Sequence, residues 1–208
     1  MAPLLLAVAL MATGCQDEGT KPKGPSDQHA EASCDKLLSA QAKAAMLRVA
    51  GIPASAETDF LGNPRRTVDQ LAEQYGKGKA DSQGFTFCGA YKRSSGLDSV
   101  RVQFSLAHEL PEKGKSASFF KEYRMGKAAL AGTKVAVLYF ECSSAQFSGT
   151  PQLVRGEVRS RYEVDEPSAA AREDNLRIVH DSSRALSGLL KCKAGSGVTD
   201  SFRMPPAA

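Results

Sequence analysis

The chain has 208 residues, 42% of them hydrophobic and 24% charged, with a formal net charge of +4, an ordinary composition for a globular protein. This length supplies the core of one domain or of two small ones. A repeat solenoid, a coiled coil and a multi-span membrane protein are excluded because the one long apolar run is confined to residues 1–12. The positive charge is mild and scattered, which is not typical of a nucleic-acid-binding protein.

The opening segment predicts export. Residues 1–12 (MAPLLLAVALMA) carry no charge, and their apolar run is shorter than the roughly 20 residues that a membrane-spanning helix needs. Such a run is typical of the core of a secretory signal. The small residues that follow lead into Cys15, and this pattern resembles the lipobox of bacterial lipoproteins, in which the cysteine receives a diacylglyceryl group and becomes the first residue. The resemblance implies a signal peptide over residues 1–14 and a protein anchored through Cys15 to the extracytoplasmic face of the cell membrane; an ordinary secretory signal with Cys15 as a leftover thiol is the alternative.

A polar tether is predicted next. Residues 16–32 (QDEGTKPKGPSDQHAEA) contain no Val, Ile, Leu, Phe, Tyr or Met, so they cannot bury enough apolar surface to offset the entropy of ordering. We therefore interpret residues 15–33 as the lipidated cysteine and a disordered tether with a reach of about 20 Å. His29 belongs to this tether, and we assign it no metal.

The remaining cysteines predict two disulfides. Cys34, Cys88, Cys142 and Cys192 are even in number in an exported chain and contain no CxxC pair, so neither a zinc site nor a thioredoxin-like pair is indicated. Three pairings are possible. We favour Cys34–Cys88 with Cys142–Cys192, because each bridge would then join a helix terminus to a strand.

The first half of the domain predicts two helices and a hairpin. Residues 39–51 are rich in alanine and begin with Ser39, a suitable N-cap. A shorter helix is predicted over residues 67–75, with Thr67 opening a capping box. Two runs then alternate between apolar and polar residues, which predicts paired strands over residues 85–91 and 100–106.

The second half predicts a helix, two strands and a long helix. The first helix is expected to begin at Ser116 or Ser118 and to end near Gly132. Strands follow over residues 135–140 and 153–164. A long amphipathic helix is predicted over residues 168–191, and the tail is expected to be loose.

The element order is α-α-β-β-α-β-β-α. It predicts an α+β domain over residues 34–193, with an antiparallel sheet of about four strands, helices mainly on one face, and a flexible tail over residues 194–208. The layout of leader, lipobox-like cysteine, tether and the segment Cys34-Asp-Lys-Leu-Leu-Ser39 resembles small actinobacterial cell-envelope lipoproteins of uncharacterised function. This resemblance implies no catalytic residues.

The search for catalytic groups yields none. His108 is followed by Glu109, but adjacent strand residues point to opposite faces. His180 opens the sequence His-Asp-Ser-Ser, yet helical neighbours lie about 100° apart and cannot form a triad, so we interpret His180 as part of a polar helix face. The sequence contains no GxSxG, HExxH or GxGxxG motif, and we predict no enzyme activity and no cofactor.

Acidic residues cluster between the last strand and the last helix. Calcium binding and glycoside hydrolysis are the functional alternatives for such carboxylates. No calcium-loop pattern accompanies them, and acids early in a helix favour its N-terminal dipole. We therefore assign no metal to the cluster, which consists of Glu163, Asp165, Glu166, Glu173 and Asp174.

Arginines on alternate strand residues form the candidate binding face. Guanidinium groups suit two-point recognition of carboxylate or phosphate, whereas a solvated sheet surface is the alternative interpretation. The face consists of Arg101, Arg155, Arg159 and Arg161.

We expect a non-enzymatic binding or interaction module with a protein or small-molecule partner and no nucleic acid. One alternative is a carrier or sensor of an apolar or anionic ligand, held in a cavity between sheet and helices. That cavity would be lined by Phe104, Leu138, Leu186 and Leu190. An envelope hydrolase is the third hypothesis and would need converging histidine, acidic and hydroxyl groups.

Overall fold

The computed structural model describes residues 32–80, 84–93, 98–161, 168–193 and 195–208. In these ranges three α-helices lie over one face of an antiparallel sheet of eight strands, the first of which has only two residues. The α+β class, the antiparallel sheet and the two disulfides are confirmed, but the sheet has more strands than the four expected. The predicted signal peptide, Cys15 and most of the tether lie outside the described residues.

The helices begin where the sequence offers caps. Helix α1 spans Ala40–Val49, and the Ser39 hydroxyl accepts a hydrogen bond from the Ala42 N–H (3.1 Å). Helix α2 spans Pro64–Gly76 and is longer than predicted because Asn63 caps it, with proline at the first helical position. The expected capping role of Thr67 is therefore wrong. Helix α3 spans Ser168–Leu190, close to its predicted bounds.

The strands form one continuous antiparallel sheet, in the order β1-β2-β3-β4-β8-β7-β6-β5. Their bounds are β1 Ala32–Ser33, β2 Thr58–Gly62, β3 Phe85–Lys92, β4 Asp98–Ala107, β5 Lys121–Tyr123, β6 Ala128–Ala131, β7 Val135–Ser143 and β8 Pro151–Ser160.

The helix predicted from Ser116 or Ser118 to Gly132 is wrong. Strands β5 and β6 occupy this segment and pair with each other, and β6 pairs with β7. Gly126 connects them with a left-handed φ of 59°, and a Cβ there would lie 2.4 Å from the Tyr139 carbonyl oxygen. The segment's alanines and leucine favour a helix locally, so pairing with β7 overrides their propensity.

Strand β2 was missed because it is short and contains Asp59 and Gly62, which are poor strand formers. Pairing with β3 holds it in place. A Cβ on Gly62 would lie 2.1 Å from the Phe87 carbonyl oxygen, so this close approach of two backbones requires glycine.

The favoured disulfide pairing is confirmed. Cys34 bonds to Cys88 with a Cα–Cα distance of 5.9 Å, and Cys142 bonds to Cys192 with a Cα–Cα distance of 5.0 Å. One bridge ties the segment before α1 to β3, and the other ties the end of α3 to β7. Chain-entropy arguments give each such loop a stabilisation of about 4 kcal/mol as an upper guide.

The core lies between the sheet and the helices. Helix α3 packs on β6, β7 and β8, α2 packs on β3 and β4, and α1 packs on α3. The residues proposed to line a ligand cavity belong to this core. They are Phe104, Leu138, Leu186 and Leu190, all fully buried.

The surroundings of Phe104 show how closely the core is filled. The Phe104 ring stacks edge-on against Phe87, with 5.2 Å between centroids. A Cβ added to Gly156 would lie 2.7 Å from the Phe104 ring. The packing at this point leaves no room for even one more methyl group.

Residues 195–208, expected to be loose, instead pack against the domain. Val198 and Phe202 lie against the core, and Ala207 forms an antiparallel bridge to Tyr123 in β5. The Ser196 carbonyl also accepts a hydrogen bond from the Glu141 N–H (3.3 Å). The segment was expected to be loose because most of its residues are small or polar, and only Val198 and Phe202 anchor it to the core.

No helix in the described ranges is long and apolar enough to cross a membrane.

Candidate functional site

Strands β4 and β8 bring the predicted arginines together. In their register Arg101 lies directly opposite Arg159, and Ser105 lies opposite Arg155. The residues that alternate with them, Val102, Phe104, Val154 and Val158, are fully buried against the helices, so these side chains stand on the opposite face of the sheet. Arg161 follows β8, and its N–H donates to the Ser99 carbonyl (2.9 Å), which holds it beside the same face.

Glu157 lies at the centre of this face, where the strand alternation predicts it, but it was not among the predicted binding residues. Its carboxylate accepts hydrogen bonds from Arg155 and from Arg159, whose Nε lies 3.0 Å and Nη2 2.9 Å from Oε1. The Glu157 side chain is only 12% exposed. The Arg-x-Glu-x-Arg spacing indicates that Glu157 lies between the two arginines, because alternate residues of a strand share a face.

Arg155 and Arg159 have different surroundings. Although burial opposes the charge of Arg155, the Glu157 carboxylate and Tyr139 raise its pKa further. Arg155 is therefore mainly a partner of Glu157 and Tyr139. The Arg159 side chain is 66% exposed, so much of its guanidinium faces solvent while it contacts Glu157.

A groove of about 220 Å³ runs beside the opposed arginines. It is a surface rich in hydrogen-bond donors, and none of its described lining residues is acidic. Its lining residues are Ser99, Arg101, Gln103, Arg159, Ser160 and Arg161, of which the Ser160 hydroxyl is already engaged with the Val49 carbonyl (2.7 Å). A single carboxylate, phosphate or sulfate group matches this chemistry.

His108 lines a second groove, of about 430 Å³, at the end of β4. Glu141 and Lys79 line the same groove, whereas sequence reasoning considered only Glu109 beside His108. Glu141 also forms an ion pair with Lys127 (3.1 Å). The strand register that places Glu141 here joins positions far apart in the chain, so adjacency along the sequence could not reveal it.

His180 does not lie on a polar helix face, contrary to the prediction. It is 1% exposed, and its Nε2 lies 3.1 Å from the Thr199 Oγ1. The Thr199 hydroxyl donates to the Ser201 carbonyl, so Nε2–H is the donor to Thr199 in neutral His180. Burial lowers the pKa of His180, and the nearby cations Arg184 and Arg177 act in the same direction against Asp181.

Two residues of the acidic cluster, Glu173 and Asp174, form ion pairs. Asp174 forms a two-point ion pair with Arg48 (2.8 and 2.6 Å) and so joins α3 to α1, while Glu173 pairs with Arg177 (2.8 Å). Neither acid lies in the first turn of α3, so the helix-dipole interpretation is wrong for them. The other acids of the cluster, Glu163, Asp165 and Glu166, lie outside the described residues.

Within the described residues no group of three or more His, Cys, Asp or Glu side chains is arranged to hold a metal ion. The site is defined by its arginines and by Glu157.

Comparison with known proteins yields no family for the chain. No protein-family model matches it, and no curated protein or solved structure is significantly similar to it. An inference of function must therefore rest on the residues themselves.

Proposed function

We propose that this protein is a non-enzymatic binding module that docks an anionic group of a partner protein or small molecule on its arginine face. The direct opposition of Arg101 and Arg159 across β4 and β8 carries the proposal. Like charges directly opposite each other destabilise a sheet. An anion bound between them would relieve this repulsion.

The size of the groove limits the ligand. A volume of about 220 Å³ is smaller than the roughly 300–1,000 Å³ of drug-sized ligand pockets. It suits one carboxylate or phosphate group presented by a larger partner. The guanidinium fork recognises such groups through two parallel hydrogen bonds. The carrier alternative has no comparable support, because its proposed lining residues are packed in the core.

The proposal also places the module on the extracytoplasmic face of the cell membrane. The diacylglyceryl group on Cys15 would supply two acyl chains, which is enough for stable anchoring. The tether would then let the arginine face reorient toward its partner. We expect Cys15→Ala to move the protein from the membrane fraction to the soluble fraction of its native host. An unchanged membrane fraction would refute the anchor but would leave the arginine face untested.

The binding face is tested by charge reversal. Arg159→Glu with Arg161→Glu places two acids beside the groove and should abolish crosslinking of the protein to its partner in intact envelopes. The matched control is Arg65→Glu with Arg66→Glu, which makes the same charge change at the start of α2, where acids favour the helix dipole. Crosslinking that survives the first pair, or is lost equally with the control, would contradict the proposal. Unchanged thermal unfolding would show that both variants remain folded.

A further inference from the structure

Strand β5 is an edge of the sheet, and a short part of the same chain covers it. The Arg124 N–H donates to the Pro206 carbonyl (3.3 Å), and the Ala208 N–H donates to the Glu122 carbonyl (3.0 Å). Between these bonds Tyr123 and Ala207 form an antiparallel bridge. The edge therefore accepts an extended strand in a defined register, which is the geometry of strand addition.

The covering segment, residues 204–208, pairs with the edge through few groups. Pro205 and Pro206 have no N–H to donate, and the residue directly opposite Tyr123 is an alanine. Its firmer attachment lies upstream, where the Phe202 ring packs edge-on against His180 (5.7 Å between centroids) and beneath the Arg177 guanidinium (4.4 Å). The pairing of residues 204–208 with β5 is therefore short, and the contacts of Phe202 hold the chain just before it.

Two grooves border the covered edge. One, of about 520 Å³, is lined by Lys113, Lys127 and Ala208, and the other, of about 530 Å³, is lined by Arg203 and Pro206. The covering segment contributes walls to both grooves, Ala208 to the first and Met204, Pro205 and Pro206 to the second. Larger side chains of another strand would find room on either side of the edge.

The charge of these grooves is positive. Arg124 lines both, Lys127 in the first groove is paired with Glu141 (3.1 Å), and the only described acid among the lining residues is Glu122. The Glu122 carboxylate is already engaged, because it accepts hydrogen bonds from the Gly114 N–H (3.0 Å) and the Ser116 hydroxyl (2.9 Å). Cationic walls around a strand-pairing edge are complementary to acidic side chains.

We propose that β5 is a docking edge for an extended acidic peptide of another protein, and that residues 204–208 cover this edge in cis and compete with the peptide. The site lies on a different element from the arginine face, and it does not depend on the function proposed above. Backbone pairing would supply affinity, while contacts of acidic side chains with Lys113, Arg124 and Lys127, which remain when the cover leaves, would supply specificity.

The test uses a fluorescent octapeptide of alternating Thr and Glu, with the Thr-Lys octapeptide as its matched control. Fluorescence anisotropy is measured with the full chain and with a chain that ends at Arg203. Removal of the cover should tighten binding of the Thr-Glu peptide by about tenfold or more, whereas the Thr-Lys peptide should bind neither protein. Equal affinity of the two proteins for the Thr-Glu peptide would overturn the proposal.

Two single substitutions in the full chain test the proposal even if the truncated chain fails to fold. Ala208→Pro removes the N–H that bonds to Glu122 and should also tighten peptide binding. Arg124→Glu keeps the backbone pairing but reverses the charge shared by both grooves, so it should abolish binding of the Thr-Glu peptide, while Arg65→Glu should not. If the shortened chain instead forms dimers that the Thr-Glu peptide does not dissociate, the edge is a contact for a second copy and the proposal is wrong.

Discussion

The two faces of strands β4 and β8 differ in chemistry, although alternate residues of the same two strands form them. Phe104 and Val158 point toward the helices and are fully buried, whereas Arg101 and Arg159 point the other way. The helix side is closed by packing, and the other side is held by ion pairs and hydrogen bonds. Stability should therefore depend on the helix side and binding on the arginine side, because only the arginine side offers groups that an outside partner can reach.

The largest effect should follow from emptying the helix side. Phe104→Ala removes a fully buried ring that stacks on Phe87, and we expect a loss of about 3–5 kcal/mol in the free energy of unfolding. Chemical denaturation measures this loss. The neighbouring Gln103→Ala on the arginine face serves as control and should change stability far less. Similar losses in both variants would contradict the expectation that stability depends mainly on the helix side.

A smaller effect should follow from overfilling the helix side. Gly156→Ala would place a methyl group 2.7 Å from the Phe104 ring and 3.1 Å from the Ser183 hydroxyl, with an expected cost of about 1–3 kcal/mol. The control is Gly188→Ala in α3, where a Cβ has nothing within 4 Å and alanine favours the helix. A lower melting temperature for the first variant and an equal or higher one for the second are the expected pair of results. Melting temperatures that move together would contradict the packing argument.

On the arginine face, Glu157→Gln should cost about 1–2 kcal/mol, because two guanidinium groups lose the charge that they share. The same change should strengthen anion binding, since Arg159 is then free of its carboxylate partner. Urea denaturation and phosphate titration of the same variant measure both effects. Weaker phosphate binding would show that Glu157 positions the arginines for the ligand rather than competing with it.

The helix side also contains a buried histidine, His180. Burial lowers the pKa of His180 below its ordinary 6.5, so the unfolded chain binds a proton at a pH where the folded chain does not. His180 therefore contributes stability above pH 6.5 that is lost as the pH falls below that value. His180→Gln, which can still donate to Thr199, should flatten the dependence of stability on pH between about 7.5 and 5, the range in which the ordinary histidine value lies. An unchanged slope in the variant would contradict this role.

Much of the fold could be predicted from the sequence because local signals agreed with the final packing. The Ser39 cap, the alternation in β4 and β8, and the helix period in α3 all point the same way as the observed contacts. The β5–β6 hairpin could not be predicted, since its residues favour a helix until β7 is available to pair with them. The packing of residues 195–208 could not be predicted either, because Phe202 contacts His180 of α3, a residue that lies earlier in the chain.

Only part of the site could be predicted from the sequence, for a related reason. Alternation identified which arginines share a face, but which strands are neighbours depends on the sheet order, and this sets the opposition of Arg101 and Arg159. The role of Glu157 follows from its near burial between two arginines of its own strand. Burial is a property of the assembled sheet and cannot be deduced from spacing alone.

The central claim is that the arginine face binds an anionic group. Titrating the full chain carrying Cys15→Ala with inorganic phosphate, at constant ionic strength with chloride as reference, tests it most directly. Nitrogen–proton correlation spectra should show saturable shifts of the Nε–H signals of Arg101, Arg159 and Arg161, with those of Arg65 unchanged. Shifts spread evenly over all arginines, or no saturable shift at these three, would contradict the claim.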